Sequence, residues 1–410
     1  MNSAIRISHA RLILLLIFLS SYITWGNNIN REDEKSSEIL QKSASGWPSY
    51  LHDSQRSGVT DENLDRNMTE QWRYYLTQKP TPSWPPPAKS SYWQRLESIK
   101  PRVVYDRAFH VVAVDQQIFF GSSSDDQLYC INANDGKVLW RFFANAPIHF
   151  APSVSKMEVY FGSDDRFVYC LDVENANLIW KHQIAGSNRQ IIGNGRMISI
   201  QPVRTSVVID NGILYCCAGI FPSQGVFAVA LNSENGELIW REKLNGLSPQ
   251  GYLLTSPNRL YVPTGHTNPF ALDKQSGHYL RSFESSGGSY ALLTDNELIS
   301  GPGNDGSLRI SAVQASDHLA TFRGNHIVVT PEMSYLHTDT EISALDRVQL
   351  LGLRQRQRQL QDQREDLNQY LKSESNQEQA KVIQNQLRNV FRNLEQIKLA
   401  ISNCIPWKKP

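Results

Sequence analysis

Three groups of residues in this chain have types and spacings that chemistry uses. The first is a vicinal thiol pair, Cys216-Cys217, in the run ILYCCAG. Adjacent cysteines can form a redox-active bridge, but a strand points neighbouring side chains to opposite faces, and a vicinal disulfide then needs a distorted backbone. The apolar flanks favour a plain strand. The second group is carboxylate: Asp125-Asp126 in GSSSDDQ and Asp164-Asp165 in GSDDR. Paired carboxylates can hold calcium or act as acid and base. These pairs read as one repeated slot, and Ser and Asp in such a slot favour a turn-forming role, which also fits Asp172 and Asp273. The third group is the stretch SNRQIIGNGRMISIQPVR, Ser187 to Arg204, which gathers Arg189, Asn194, Arg196, Gln201 and Arg204 around Gly193 and Gly195. Guanidinium forks grouped this way suit a carboxylate or another anion. The competing reading is a surface loop whose arginines pair with nearby carboxylates. His149 and His266 stand in loops of similar type and complete the set of candidate ligand-binding residues.

No catalytic residue and no metal ligand is assigned. The chain has no CxxC, CxxCH, HExxH or Ser-His-Asp spacing and no phosphate-cradling glycine loop. Of its five cysteines, Cys130 and Cys170 occupy equivalent places after Tyr129 and Tyr169. Equivalent strands of stacked sheets lie about 10 Å apart and a disulfide needs Cα atoms within roughly 7 Å, so both are expected to be buried free thiols. Cys404 would be reactive only at a true chain end. With 41 Lys and Arg against 40 Asp and Glu, the net charge of +1 gives no argument for a nucleic-acid partner.

The elements that must position these residues come in copies. Ile118 to Arg141, Val159 to Lys181 and Ile213 to Arg241 each hold an aromatic-rich strand, a Gly, a polar turn, a second strand, a turn with Gly or Asn, and a third strand closing on Trp140, Trp180 or Trp240. A weaker copy runs from Leu260 to Phe283, with Leu280 in the place of the tryptophan. Leu292 to Phe322 and Ile327 to Leu351 are more degraded. Short strands recurring about every 40 residues match four-stranded propeller blades, none of which can bury both faces alone. One large indole per blade makes a wedge between neighbours, with Gly136 and Gly236 in the turns that precede it. The expected fold is all-β: a propeller of six to eight four-stranded blades, with a C-terminal antiparallel helical hairpin as an insertion.

The expected organisation follows. Residues 1–26 read as a signal segment, with Arg6 and Arg11 ahead of the apolar run LILLLIFL, which is short for a membrane span. Left uncleaved, it would be an anchor. Residues 27–46 read as a flexible spacer and the proline-rich stretch 78–92 as a polyproline-like loop. The propeller occupies 47–345. In 346–402, Leu353, Leu360 and Leu367 are seven apart, and Ile383, Leu387, Val390, Leu394, Ile397 and Ile401 alternate by four and three. That is a coiled-coil seam, broken at KSESNQ, with RQRQRQ (354–359) on the solvated face. Residues 403–410 read as the start of a further strand in a truncated product.

The motif [CA]-[IL]-[ND]-x-x-[NSTD]-G-[KE]-x-[IL]-W behind an aromatic residue, present within Tyr129 to Trp140 and Phe227 to Trp240 and degraded at Tyr169 to Trp180, resembles the tryptophan-docking repeat of pyrroloquinoline-quinone-type propellers. The likeness covers residues 47–76 and 103–346 and is nearest to bacterial quinone-binding-like repeat proteins. It implies that WPSYLHDSQRSG (47–58) is an opening strand that pairs with the last blade to close the ring. The repeat occurs in quinoprotein dehydrogenases, some with a vicinal disulfide beside the quinone, and in non-catalytic propellers such as the outer-membrane protein assembly lipoprotein. Fold alone does not choose between these. No Glu/Asn/Asp set maps onto the family's cofactor site, so the expectation is an exported, periplasmic or secreted, non-catalytic scaffold without cofactor. Its protein partner would use the helical hairpin. The alternative is a quinone-dependent oxidoreductase using pyrroloquinoline quinone with calcium, or a relic of one.

Overall fold

The computed structural model describes residues 46–409 except 61, 64–66, 84–105, 194, 286, 304, 315–317, 331–332 and 374–375. The expected signal segment, nearly all of the spacer and most of the proline-rich loop lie outside the described residues. Gly46, the last spacer position, instead opens a two-residue strand, Gly46–Trp47.

The architecture is six antiparallel meanders in series. Sheet 1 contains Val112–Val114, Gln117–Gly121, Gln127–Asn132 and Val138–Phe143, and sheet 2 contains Ser153–Ser155, Glu158–Gly162, Phe167–Asp172 and Leu178–Gln183. Sheet 3 contains Val208–Asp210, Ile213–Ala218, Phe227–Asn232 and Leu238–Lys243, and sheet 4 contains Leu254–Thr255, Arg259–Val262, Phe270–Asp273 and Tyr279–Ser282. Sheet 5 contains Tyr290–Leu293, Glu297–Gly301, Ser307–Ala312 and His318–Arg323. Sheet 6 is His326–Val329, Ser334–His337, Ile342–Leu345 and, from far along the chain, Trp407–Lys409. The strand expected within 403–410 therefore does not start a new sheet: Trp407–Lys409 is the fourth strand of the sixth, pairing Trp407 with Ala344.

Burial explains the strand composition. The third strand of sheet 1, QLYCIN, is covered on one face by sheet 2 and on the other by Trp72, Tyr74 and Leu76, whereas the fourth, VLWRFF, alternates between half-buried and exposed. A strand packed on both faces reads as a continuous apolar run and one at an edge alternates. Separate apolar clusters fill the spaces between sheets, with Phe119, Leu128 and Phe161 in the first and Tyr160, Leu214 and Val229 in the second.

The indoles hold these layers in register. A bulge recurs between the third and fourth strands of sheets 1 to 5 and places Trp140 opposite Cys130, Trp180 opposite Cys170 and Trp240 opposite Ala230. Each Nε1–H then donates to a turn carbonyl of the following sheet: Trp140 to Val173 (2.9 Å), Trp180 to Ser233 (2.9 Å) and Trp240 to Lys274 (3.1 Å). The turn glycines meet the rings face on. A Cβ on Gly236, whose φ is +71°, would stand 2.7 Å from the Trp180 ring. Gly136 receives a different ring, Trp72, whose Nε1–H donates to Ala133 O at 2.8 Å; repeat reading did not single out this fourth docking indole. In sheet 4 the residue opposite Ala271 is Arg281. Arg281, and not Leu280, stands where the tryptophan would be.

The opening segment also departs from expectation. Gly46–Trp47 pairs with Val112–Val114 of sheet 1, not with the last sheet. The chain then crosses the inner strands of other sheets, with Val154 N–H donating to Pro48 O, Thr255 N–H to Ser54 O and Leu293 N–H to Gln55 O. Arg56 ends this crossing fully buried, donating to Leu253 O and Tyr50 O, and Tyr50 stacks on Tyr252 with centroids 3.5 Å apart. Burial pulls the Arg56 guanidinium down to about 10 against the opposing pull of Tyr252, Asp53 and Tyr50.

Helix α1 (Arg347–Ser373) and helix α2 (Gln377–Asn403) are inserted before the last strand and pack on one another. Asn376 caps α2 by accepting from Glu378 N–H. Leu387, Val390, Leu394 and Ile397 are buried, as a seam with four-three spacing requires. The arginine run is not wholly solvated: the Arg358 guanidinium donates to the carbonyls of His318 and Leu319 in sheet 5 and ties the root of α1 to it. Among the described residues, no helix is long and apolar enough to cross a membrane.

Candidate functional site

Four charged side chains from separate parts of the chain meet beside sheets 1 to 3. Asp106 precedes sheet 1, His149 lies between sheets 1 and 2, Asp164 is in the central turn of sheet 2, and Arg204 precedes sheet 3. The His149 ring stands between two carboxylates, with Nδ1 3.0 Å from Asp106 Oδ2 and Nε2 3.0 Å from Asp164 Oδ2. Arg204 approaches the same Asp164 oxygen at 3.0 Å. The Ser83 hydroxyl donates to Asp106 Oδ2 at 2.8 Å. All four charged side chains are at most 6% exposed, so the two negative charges must be met by two positive ones. Burial works against a charge on His149, but attraction to Asp164 and the contacts with Asp106 and Asp164 outweigh burial and Arg204, so its proton is held above the ordinary imidazole range. Burial likewise opposes the Asp106 charge, and its contacts with His149 and Ser83 overcome it, leaving that carboxyl below its ordinary value.

Alignment on the tyrosines corrects the reading of the acidic pairs. Asp125 and Asp165 are equivalent, and each accepts from the hydroxyl of the tyrosine four residues on, Tyr129 or Tyr169, at 2.5 Å. Asp126 matches Arg166, and both have positive φ, +63° and +78°. Asp164 matches Ser124 and so has no counterpart carboxylate. The two pairs are offset by one residue, which frees Asp164 for the buried cluster. Asp172 and Asp273 bond to amides of their own turns, as expected.

The arginine-bearing stretch is not a loop but a two-stranded hairpin, Gln190–Gly193 with Arg196–Ser199. It folds over the cluster and closes a pocket of about 140 Å³, with Ile191, Ile192, Ile198 and Phe221 as apolar wall and Ser83, His149, Asp164, Arg196 and Arg204 as polar lining. The expected residues do not converge as one anion clamp. Arg196 is engaged by Ser124 O at 2.7 Å and by Asp126. Arg189 is exposed and donates to Gln224 Oε1. Gln201 is buried, accepting from Ser187 N–H and donating to Gln224 O. Asn194 lies outside the described residues. His266 is exposed in sheet 4 and lines no part of this pocket. Asp106 and Ser83, which complete the site, were missed because nothing in the local sequence marks them. One acceptor remains available: Asp164 Oδ1 is buried in the pocket wall without a hydrogen-bond partner among the described residues.

The cysteines do not offer redox chemistry in this arrangement. Cys216 packs in the cluster between sheets 2 and 3 and Cys217 in that between sheets 3 and 4, so the pair points apart across one strand. No vicinal bridge joins the two thiols. All five thiols are free and buried. Burial pushes Cys130 and Cys170 up to about 12. Cys404, expected to be reactive only at a chain end, lies under α1 with Sγ 3.5 Å from Gln349 Oε1. Among the described residues, no group of three or more His, Cys, Asp or Glu is arranged to hold a metal ion.

Residues 65–215 match the family model described as outer membrane protein assembly factor BamB. Two curated relatives share part of the chain: outer membrane protein assembly factor BamB of Yersinia pestis, 21% identical over 180 residues, and tetrathionate hydrolase of Acidithiobacillus ferrooxidans, 27% identical over 150 residues. The matches cover 43% and 33% of this chain, and only 43% and 28% of those relatives. Among solved structures, BamB from Moraxella catarrhalis is similar at a TM-score of 0.44 and 14% identity, covering 57% of this chain and 68% of its own. Quinohemoprotein alcohol dehydrogenase from Comamonas testosteroni is similar at 0.49 and 13%, covering 71% and 51%. From its repeated motif, its docked indoles and the family match over 65–215, this chain is a repeat protein of the pyrroloquinoline-quinone type.

Proposed function

We propose that the chain is an exported, non-catalytic propeller that binds protein partners, in the manner of an outer-membrane protein assembly factor. The match of residues 65–215 to the assembly-factor family carries this reading. Ring closure by sheets 6 and 1 is part of it. In support, the opening segment that pairs with sheet 1 through Gly46–Trp47 also places Leu51 against the apolar cluster holding Ile327 and Leu336 of sheet 6. The charged N-terminal stretch and its apolar run favour export to the periplasm or beyond, anchored if uncleaved.

The helical hairpin is the proposed contact device. Its seam is buried while Val382, Phe391 and Leu399 of α2 are more than half exposed, and an amphipathic helix offers such residues to a partner. The pocket over Asp164, with Arg196 and Arg204 beside it, is the proposed small-ligand site, taking a hydrogen-bond donor on Asp164 Oδ1.

The test places a photo-crosslinking amino acid at Val382, Phe391 or Leu399 in the source cell. A discrete adduct with an envelope protein is the expected result. No adduct at any of the three, together with a quinone absorbance band and dye reduction after adding pyrroloquinoline quinone and calcium, would replace this reading with the oxidoreductase one.

A further inference from the structure

Sheet 6 carries an indole of the same kind as sheets 1, 2 and 3, but no turn receives it. In those three sheets the tryptophan lies across a small residue from an aromatic ring: Phe119–Cys130–Trp140, Tyr160–Cys170–Trp180 and Tyr215–Ala230–Trp240. The ring centroids are 5.8, 6.0 and 6.0 Å apart. In sheet 6 the same path runs from Tyr335 through Ala344 to Trp407, at 6.3 Å. Trp180, docked on the sheet 3 turn, is 8% exposed. Trp407 is 43% exposed, and its Nε1–H has no acceptor among the described residues.

The far face of sheet 1 holds a matching half. Residues 71–77, outside the repeated copies, alternate between exposed and half-buried, and Trp72, Tyr74 and Leu76 pack on Phe120, Tyr129 and Ile131. Trp72 docks on the sheet 1 turn. Tyr74 stands 6.5 and 6.3 Å from Phe120 and Tyr129, as Phe142 of sheet 1 stands 6.0 and 5.6 Å from Phe161 and Tyr169 of sheet 2. Residues 71–77 therefore lie where the fourth strand of a preceding sheet would lie, yet they pair with no strand among the described residues. Every neighbouring pair from sheets 1 and 2 to sheets 5 and 6 shares an apolar cluster, and among the described residues none joins sheet 6 to sheet 1. The closure proposed above runs through the opening segment and leaves both the strand edge and the indole unmatched.

We propose that residues 71–77 and Trp407 form a docking surface for a strand-and-turn segment of a partner protein. The strand adds to the open edge of 71–77 through backbone hydrogen bonds. Its residue opposite Trp72 is small, as Cys130, Cys170 and Ala230 are opposite their own indoles. Its turn has the form Asn/Asp-x-x-x-Gly, as at Asn132–Gly136 and Asn232–Gly236, and a turn carbonyl accepts the Trp407 N–H. A second copy of this chain does not supply such a segment. Its turns in sheets 1 to 4 are already covered by Trp72, Trp140, Trp180 and Trp240, and each of its third strands is paired with a fourth.

Isothermal titration calorimetry of the full chain with a peptide of residues 226–236, VFAVALNSENG, tests this, with hydrogen exchange of 71–77 read in the same mixture. The peptide reproduces a third strand and the turn that receives Trp180. The expected result is saturable one-site binding with slowed exchange across 71–77. The peptide carrying Ala230→Trp should not bind, because its indole collides with Trp72. In the chain, Trp407→Phe at an exposed position should weaken binding roughly 2- to 10-fold, the worth of one hydrogen bond. Absence of saturable binding, binding that leaves exchange in 71–77 unchanged, equal binding of the two peptides, or undiminished binding by the Trp407→Phe chain would overturn the proposal. Crosslinking at the helical hairpin reads a different surface, so either reading can fail without the other.

Discussion

His149→Gln tests how the buried cluster is held together. The substitution keeps a polar side chain of similar reach but removes the cation that stands 3.0 Å from both Asp106 and Asp164. Arg204 then faces two buried carboxylates alone. Breaking a buried ion pair by removing one partner costs about 3–5 kcal/mol, a large share of a typical folding stability of about 5–15 kcal/mol. The pH dependence has a definite sign. His149 holds its proton more tightly folded than unfolded, so its contribution is fully present below the ordinary imidazole value of about 6.5 and fades as pH rises through the folded value. Asp106 is shifted down, so its contribution is present above the ordinary value of about 3.9 and fades as pH falls through the folded one. Urea unfolding followed by tryptophan fluorescence at pH 5.5, 7 and 8.5 reads the His149 part, with the Asp106 contribution constant throughout. The native chain should lose stability across that series. The variant should start about 3–5 kcal/mol lower at pH 5.5 and change less. A variant within about 1 kcal/mol of the native chain at pH 5.5 would refute the account of an essential buried imidazolium.

Gly236→Ala should destabilise by about 2–4 kcal/mol in the same assay, since a left-handed φ and a Cβ pressed into the Trp180 ring add their costs. Ala176→Gly, at the equivalent turn with φ +60°, should instead be neutral or mildly stabilising. The five thiols should be silent to an aromatic disulfide reagent at pH 8 in the native chain and all react once it is unfolded, because burial holds them protonated and covered. Arg358→Met removes two carbonyl partners between α1 and sheet 5, so hydrogen exchange in 347–360 should quicken, with a loss of about 1.5–3 kcal/mol on urea unfolding.

Much of this molecule was legible in its chain of residues. The turn Asn132 to Gly136, the tyrosine four residues after Asp125, and the indole closing each of the first three copies recur because those sheets solve the same local problem with the same residues. The helical seam was legible for the same reason, its period being that of the helix itself. What pattern could not supply was register and convergence. A one-residue bulge decides that Arg281, not Leu280, occupies the docking place, and a one-residue offset separates Asp164 from its apparent twin Asp125. Trp72, Arg56, Asp106 and Ser83 belong to no repeat, and their partners are tens to hundreds of residues away. Local chemistry is written in neighbouring residues and can be read there. Which distant charge comes to rest against His149, and which sheet receives Trp407–Lys409, depends on how the sheets stack, and only the tertiary structure determines that.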